Sequence, residues 1–415
     1  MNEKLAILGG TPVRTSEFPR WPVFDKVDED RVLKSLRSGH WGRLDGQEVA
    51  EFEDRFARMH GCQHSIAVVN GTVSLRLALI AAGLEAEDEV IVPPYTFYAT
   101  ASAVVEANMI PVFADIDLNS FNLDPSAVEA VITPRTRAII PVHFAGQPAE
   151  MDAIKQLAAK HRLFVLEDAA HAQGASWNGK PAGSLAHAGS FSFQSSKNLT
   201  SGEGGIITTN DTSLAEKCRS LHNCGRIPTG VWYEHHTISA NYRLSELQGA
   251  LLNSQLNRLE EQTNRRDANG QYLAQRLNEI PGLYPQKRPA ACTRHSYHLF
   301  MLRIVGAEFG ASRTAVLAAL QAEGVPCSAG YGYPLYQQPM FRNLAFGPYL
   351  PNAAASLEYG TLECPNSDLI CREQAIWLGQ SLMLGERCDM DDIADAFCKI
   401  YEHRSSLAQH SLATH

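Results

Sequence analysis

The sequence predicts an α/β fold: a large domain with a mostly parallel central sheet, followed by a smaller α+β C-terminal domain. Three observations predict it. Short β-branched runs alternate with helical segments from about residue 65 onward, the pattern of parallel strands covered by helices on both faces. At 415 residues the chain exceeds the roughly 250–300 residues at which a single core stops growing. A proline-free stretch, 245–279, has helical periodicity throughout and would carry the chain out of the first domain.

The first 40 residues, with "FPRWPVF" and Pro12, read as an extended arm rather than a strand of the sheet. "SIAVV" is then a strand and "NGTVSLRLALIAAGL" its helix. "EVIVPP" precedes "YTFYATASAVVEAN", and "IPVFADID" precedes the acidic, proline-initiated "LDPSAVEAVI". "RAIIPVHFAG" precedes "MDAIKQLAAKHR", and "LFVLEDAAHAQG" is a further buried strand ending in polar residues. After "GSFSFQSS" and "GGIITTN" the alternation stops. The domain boundary is expected near residue 262, giving an arm plus large domain over 1–262 and a small domain over 263–415. In the latter, "SYHLFMLRIV" and "RTAVLAALQAEGV" supply a strand and a helix. The polar "HRSSLAQHSLATH" at the end is expected to fray.

Composition narrows the function. Hydrophobic residues make up 45% and charged residues 20% of the chain, an ordinary globular balance. A net charge of −9 argues against nucleic acid as a partner, since phosphate backbones require a basic face. The nine cysteines show neither a CxxC pair nor zinc-type Cys/His spacing, so they read as reduced thiols of a cytoplasmic protein, with no metal site. The opening apolar run is too short for a signal peptide, and no segment approaches the roughly 18 apolar residues of a membrane span. The N-x-T triplets at Asn70, Asn198 and Asn210 are therefore given no meaning as glycosylation sites.

Open parallel sheets bind ligands beyond the carboxyl ends of their strands, which singles out three places. In "VVNGTVSL", Asn70, Gly71 and Thr72 lie between a strand and a helix, where free N–H groups favour a phosphate; an ordinary helix cap uses the same residues. In "VLEDAAHAQG", Glu167, Asp168 and His171 end a strand, where a buried carboxylate has to be paired. In "GSFSFQSSKNLTSGEGGIITT", Lys197 follows a strand among hydroxyls, with Gly202, Gly204 and Gly205 allowing close backbone approach. A surface loop would explain that lysine alone. Pyridoxal 5′-phosphate explains all three together: it needs an amine for its aldehyde, a carboxylate for its ring nitrogen and N–H donors for its phosphate.

"NGTVSL", "PPYTFYAT", "EDAAHAQG", "SFSFQSSKNLTSGEGG" and "NYRLSELQGALL" resemble the DegT/DnrJ/EryC1/StrS family of pyridoxal-phosphate-dependent sugar aminotransferases, over nearly the whole chain. The resemblance implies a fold type I transferase acting as a homodimer with its active site shared between subunits. It implies Lys197 as the Schiff-base lysine and Asp168 as the partner of the pyridine nitrogen. It further implies Phe97 stacked on the cofactor ring, and Gly71, Thr72 and Ser192 at the phosphate together with Asn241 from the other subunit. His171 sits where many relatives carry Gln, near the 3-hydroxyl. A subset of the family with His in place of the lysine dehydrates its substrates; position 197 is Lys.

"LGGTPVRTSEFPRWPVF" and "SGHWGRLDG" look more like the glutamine:scyllo-inosose aminotransferase and aminohydroxybenzoate synthase branch than the nucleotide-sugar branch, although Trp41, Gly42 and Arg43 could simply pack the arm. The expected reaction moves an amino group from glutamine or glutamate to a keto-cyclitol or keto-sugar, with Lys197 shuttling the proton. Three alternatives stand beside it: a nucleotide-sugar aminotransferase, an aromatising synthase and a non-catalytic pyridoxal-phosphate-binding regulator or partner subunit. His235, His236, Tyr331 and Tyr333, and with less reason Trp232 and Tyr233, lie in loops that either touch substrate or pack at the surface.

Overall fold

The computed structural model describes residues 4–353 and 357–413. Nine short strands precede the long helix: β1 (His64–Val68), β2 (Glu89–Val92), β3 (Ile110–Phe113), β4 (Thr136–Ile139), β5 (Phe164–Asp168), β6 (Ser176–Trp177), β7 (Lys180–Pro181), β8 (Ala188–Ser192) and β9 (Gly205–Thr209). Seven of them form one sheet in the order β1-β9-β8-β5-β4-β2-β3. Only β9 runs against its neighbours; the β8-β5, β5-β4, β4-β2 and β2-β3 pairs are parallel. All seven match strands expected from the sequence, and their central positions are buried because helices cover both faces.

The covering helices are α1 (Lys26–Ser38), α2 (Glu48–Met59), α3 (Gly71–Ala81), α4 (Ala99–Glu106), α5 (Pro125–Val131), α6 (Met151–His161), α7 (Thr212–His222) and the 32-residue α8 (Glu246–Leu277). Leu75 and Leu79 of α3, Val104 of α4 and Leu214 of α7 fill one core layer with Ile66 and Ile207 of the sheet. On the other face Phe52 and Phe56 of α2 pack with Phe191, Phe193, Leu252 and Leu256.

A second, antiparallel sheet follows, of β10 (Leu283–Pro285), β12 (Leu299–Ile304) and β13 (Ala375–Gly379), while β11 (Cys292–Arg294) pairs with β6. The expected strand and helix of the small domain fall at β12 and Arg313–Ala322. Packing crosses residue 262 in both directions. Leu256 and Leu259 of α8 belong to the first sheet's core and Leu273 and Leu277 to the second's, while Leu335, Tyr336, Phe341 and Tyr359 fold back onto the first. Leu5 is buried in the second core, far along the chain from its neighbours there.

The two chain ends depart from expectation. The first 40 residues are not wholly extended: α1 forms within them, because Asp25 and Asp28 make a reciprocal capping box at its start. At the other end Arg404–Ala413 is helical, and Leu407, 1% exposed, is buried in the second core, so apolar packing holds the stretch expected to fray. The last two residues of that stretch, Thr414 and His415, lie outside the described residues.

Candidate active site

The carboxyl ends of β5 and β8, the start of α3 and the ends of β12 and β13 enclose one cavity of about 740 Å³. Gly71, Thr72, Phe97, Asp168, His171, Ser192 and Lys197 all line it, so seven of the eight residues singled out in the sequence come together. Asn241 does not. It is exposed on the same chain, where its side-chain carbonyl oxygen accepts from the Arg243 N–H at 3.2 Å. Tyr331 also lines the cavity; His235, His236, Trp232, Tyr233 and Tyr333 do not. Trp41 is half exposed, its Nε1–H donating to the Leu36 carbonyl at 2.9 Å and its own carbonyl accepting from the Glu246 N–H at 3.0 Å, while Arg43 pairs with Glu53 at 2.9 Å.

Asp168 ends β5 as a buried carboxylate. It accepts a hydrogen bond from the Thr100 hydroxyl at 2.8 Å and one from the Ala170 N–H at 3.2 Å. Burial pushes its carboxyl above the ordinary range; the Thr100 and Ala170 bonds and the charge of Lys197 pull the other way. Lys197 follows β8 in a tight turn closed by its own N–H on the Gln194 carbonyl at 2.8 Å. Burial lowers its amine to about 8, with Asp168 opposing that shift. The two groups are thus close enough that each alters the other's ionisation.

The α3 terminus is drawn tightly against the sheet. A Cβ on Gly71 would meet the Ser192 Cβ at 2.8 Å, and one on Gly205 would meet the Asn70 carbonyl group at 2.4 Å. The Asn70 side chain takes up only the Val73 N–H, at 2.9 Å, so the Gly71 and Thr72 N–H groups of the first turn have no capping partner among the described residues. Beside them stands the Ser192 hydroxyl, which accepts from the Gln194 N–H at 3.3 Å.

His171 lies over His298, ring centroids 4.1 Å apart. Burial, then the charges of Lys197 and His298, hold its imidazole well below the usual value, so it is neutral. Its Nδ1 is buried without a partner among the described residues. Thr100, His298, Trp21, Trp377 and Gln380 also belong to the cavity wall and were not anticipated. Position at a strand end could have found Gln380, which directly follows β13; a threonine inside α4 and a tryptophan in the arm give no local signal.

A profile of the DegT/DnrJ/EryC1/StrS aminotransferase family matches residues 23–382. The chain is 38% identical to the L-glutamine:2-deoxy-scyllo-inosose aminotransferase of Streptomyces kanamyceticus, over 98% of this chain and 99% of that protein. It is 36% identical to the 3-amino-5-hydroxybenzoate synthase of Amycolatopsis mediterranei, over 93% and 99%. Among solved structures, it superposes on 3-amino-5-hydroxybenzoic acid synthase with a TM-score of 0.85 at 35% identity, covering 94% of this chain and 100% of that one. An aminotransferase from Psychrobacter cryohalolentis gives a TM-score of 0.85 at 30% identity, with the same coverage.

Proposed function

Because this chain belongs to the DegT/DnrJ/EryC1/StrS aminotransferase family and has the fold type I architecture of its relatives, we propose that it moves an amino group from glutamine or glutamate to a keto-cyclitol or keto-sugar, using pyridoxal 5′-phosphate, in the biosynthesis of an aminocyclitol or amino-sugar secondary metabolite. The observation that carries this reading is a lysine and a buried carboxylate acting on each other across one cavity, beside a helix start whose Gly71 and Thr72 N–H groups have no partner among the described residues. The cyclitol substrate class follows the glutamine:inosose relatives.

The residues fit the cofactor. The Gly71 and Thr72 N–H groups and the Ser192 hydroxyl would hold its phosphate, Asp168 its ring nitrogen, Phe97 its ring face and Lys197 its aldehyde. The unpartnered Nδ1 of His171 suits the 3-hydroxyl side. When bound, the cofactor supplies an aldehyde that captures amines and a ring that holds the electron pair left at a substrate carbon. Lys197, near 8, gives up its proton at mildly alkaline pH, so its Nζ can attack a carbonyl and later take and return a proton. Burial raises the Asp168 carboxyl while Thr100, Ala170 and Lys197 favour its anion, and an anion there would keep a facing ring nitrogen protonated. Val142, Leu299 and Trp377 give the wall apolar surface that limits water.

We read Asn241 as a phosphate ligand offered to a second copy of the chain, which makes the enzyme a homodimer, and we place it in the cytoplasm on its scattered, unpaired cysteines. Supporting this, the segment just before it exposes Trp232 (76%), Tyr233 (72%) and Ile238 (98%), apolar surface that a partner would cover. Among the described residues no helix is long and apolar enough to cross a membrane.

The test is to load the protein with pyridoxamine phosphate and offer keto-cyclitols, nucleotide keto-sugars and an aminodehydroshikimate-type ketone. Return of the aldehyde-form absorbance with a keto-cyclitol supports the proposal; return only with a nucleotide keto-sugar transfers it to that branch. The similarity to 3-amino-5-hydroxybenzoate synthase favours a second reading, an aromatising enzyme, which would release water from the third substrate.

A further inference from the structure

Arg266, on α8, is fully buried, yet among the described residues it forms no ion pair with a carboxylate. Burial alone pulls its guanidinium down to about 9. Its Nε and Nη2 both donate to one atom, Gln380 Oε1, at 2.9 and 2.6 Å, and its Nη1 is buried with no partner. The Trp21 ring lies 5.2 Å from the guanidinium carbon, and Trp21 is pinned to the site by its Nε1–H on the Ser195 carbonyl at 2.9 Å. Burying a cation without a partner anion is expensive, so buried charges are ordinarily paired.

The two guanidinium bonds decide which way the Gln380 amide faces. Both lone pairs of Oε1 are taken by Arg266, since the reverse orientation would set N–H against N–H. The amide nitrogen is therefore turned away from Arg266, and Gln380 is part of the cavity wall, next to Ser381 at the end of β13. Arg266 polarises that amide and gives the corner positive character. Asp168 and Glu203 are the carboxylates on the cavity wall among the described residues, and Asp168 is committed to Thr100 and Ala170 rather than to Gln380.

We propose that Gln380, oriented by Arg266 beneath the Trp21 ring, recognises the carboxylate of the amino donor. Gln380 is the contacting group and Arg266 a positioning residue. This deepens the aminotransferase reading and rests on it. It also separates the two substrates: an amino acid carries a carboxylate, whereas a keto-cyclitol or neutral keto-sugar does not. The corner should thus govern the first half-reaction and leave the second nearly untouched.

The experiment compares wild type, Gln380→Leu and Gln380→Glu as holoenzymes. Gln380→Glu places an anion on Arg266, which keeps the core paired while removing the donor. Three quantities are read: kcat/KM for glutamine against L-glutaminamide, kcat/KM for the keto acceptor, and the affinity for glutarate, an unreactive carboxylate, by calorimetry. The expected result is a loss of about ten- to a hundredfold for glutamine and for glutarate, the effect of one charge-assisted hydrogen bond. Discrimination against glutaminamide should shrink by the same factor, with the acceptor half-reaction changed less than about twofold. Equal losses in both half-reactions, or an unchanged preference for glutamine over its amide, would overturn the proposal. If glutarate binding depends on Gln380 but no keto acceptor is aminated, the carboxylate corner stands and the aminotransferase substrate reading fails.

Discussion

Replacing Thr100 by Val removes one hydroxyl and leaves the side-chain shape intact. That hydroxyl, 1% exposed, donates to Asp168 at 2.8 Å and, with its proton committed there, accepts from Thr96 at 3.0 Å. Of the influences that favour ionised Asp168 against its burial, it is the largest. A hydrogen bond to a charged group contributes about 1.5–3 kcal/mol. At about 1.4 kcal/mol per tenfold change in protonation, its loss should move the acidic limb of the kcat/KM profile for glutamine upward by about one to two pH units. In the proposed holoenzyme the limb would belong jointly to Asp168 and the cofactor ring nitrogen, so the shift is read as that of the pair. The plateau rate at alkaline pH should change far less, and Thr100→Ser should restore the wild-type limb. Rates from pH 5 to 9 provide the assay. A limb within about 0.3 pH unit of wild type would refute the assignment of Thr100 as the group that keeps Asp168 anionic.

Lys197 in cofactor-free protein should react with acetic anhydride with a midpoint near pH 8, read by mass spectrometry of its peptide, whereas a midpoint above 10 would mark it as an ordinary surface amine. Because its folded value lies below the unfolded one of about 10.4, the burial penalty is full below pH 8 and is relieved as pH rises from there toward the unfolded value; the cofactor-free protein should gain stability over that window, measured by denaturant unfolding. Gly205→Ala sets a Cβ 2.4 Å from the Asn70 backbone, which must retreat by about 1 Å. A displacement of that size can lower function by about a hundredfold, so cofactor affinity measured by titration should fall at least tenfold, and unchanged affinity would separate the α3 start from phosphate binding. Glu323→Ala removes the buried partner of Lys399 and the carboxylate that accepts the Ala6 and Val13 N–H groups at 2.8 and 3.0 Å. Loss of about 3–5 kcal/mol in denaturant unfolding is expected, with the N-terminal arm opened to limited proteolysis, and an arm as resistant as wild type would count against its being held there.

The sheet was legible because each parallel strand is a short apolar run between turn residues, and the site because the polar residues following those runs converge at one sheet edge. Gly71, Asp168, Ser192 and Lys197 all follow that rule. Thr100 does not: it faces Asp168 from inside α4, and a threonine among alanines and valines carries no mark of its partner. His298, Trp377 and Gln380 enter from the second sheet, and where β12 and β13 dock is set by packing between residues far apart in sequence. α1 is different, since the Asp25 and Asp28 capping box was readable and outweighs the prolines before it. Asn241 was identified by resemblance, and a single chain leaves it outside the cavity.

The proposed function turns on residue 197 being the amine that holds the cofactor aldehyde opposite Asp168. Borohydride reduction of the holoenzyme, followed by proteolysis and mass spectrometry, tests it directly. A stable phosphopyridoxyl adduct is expected on the peptide bearing Lys197, absent in Lys197→Ala. An adduct on another lysine, or none with cofactor demonstrably bound, would contradict it.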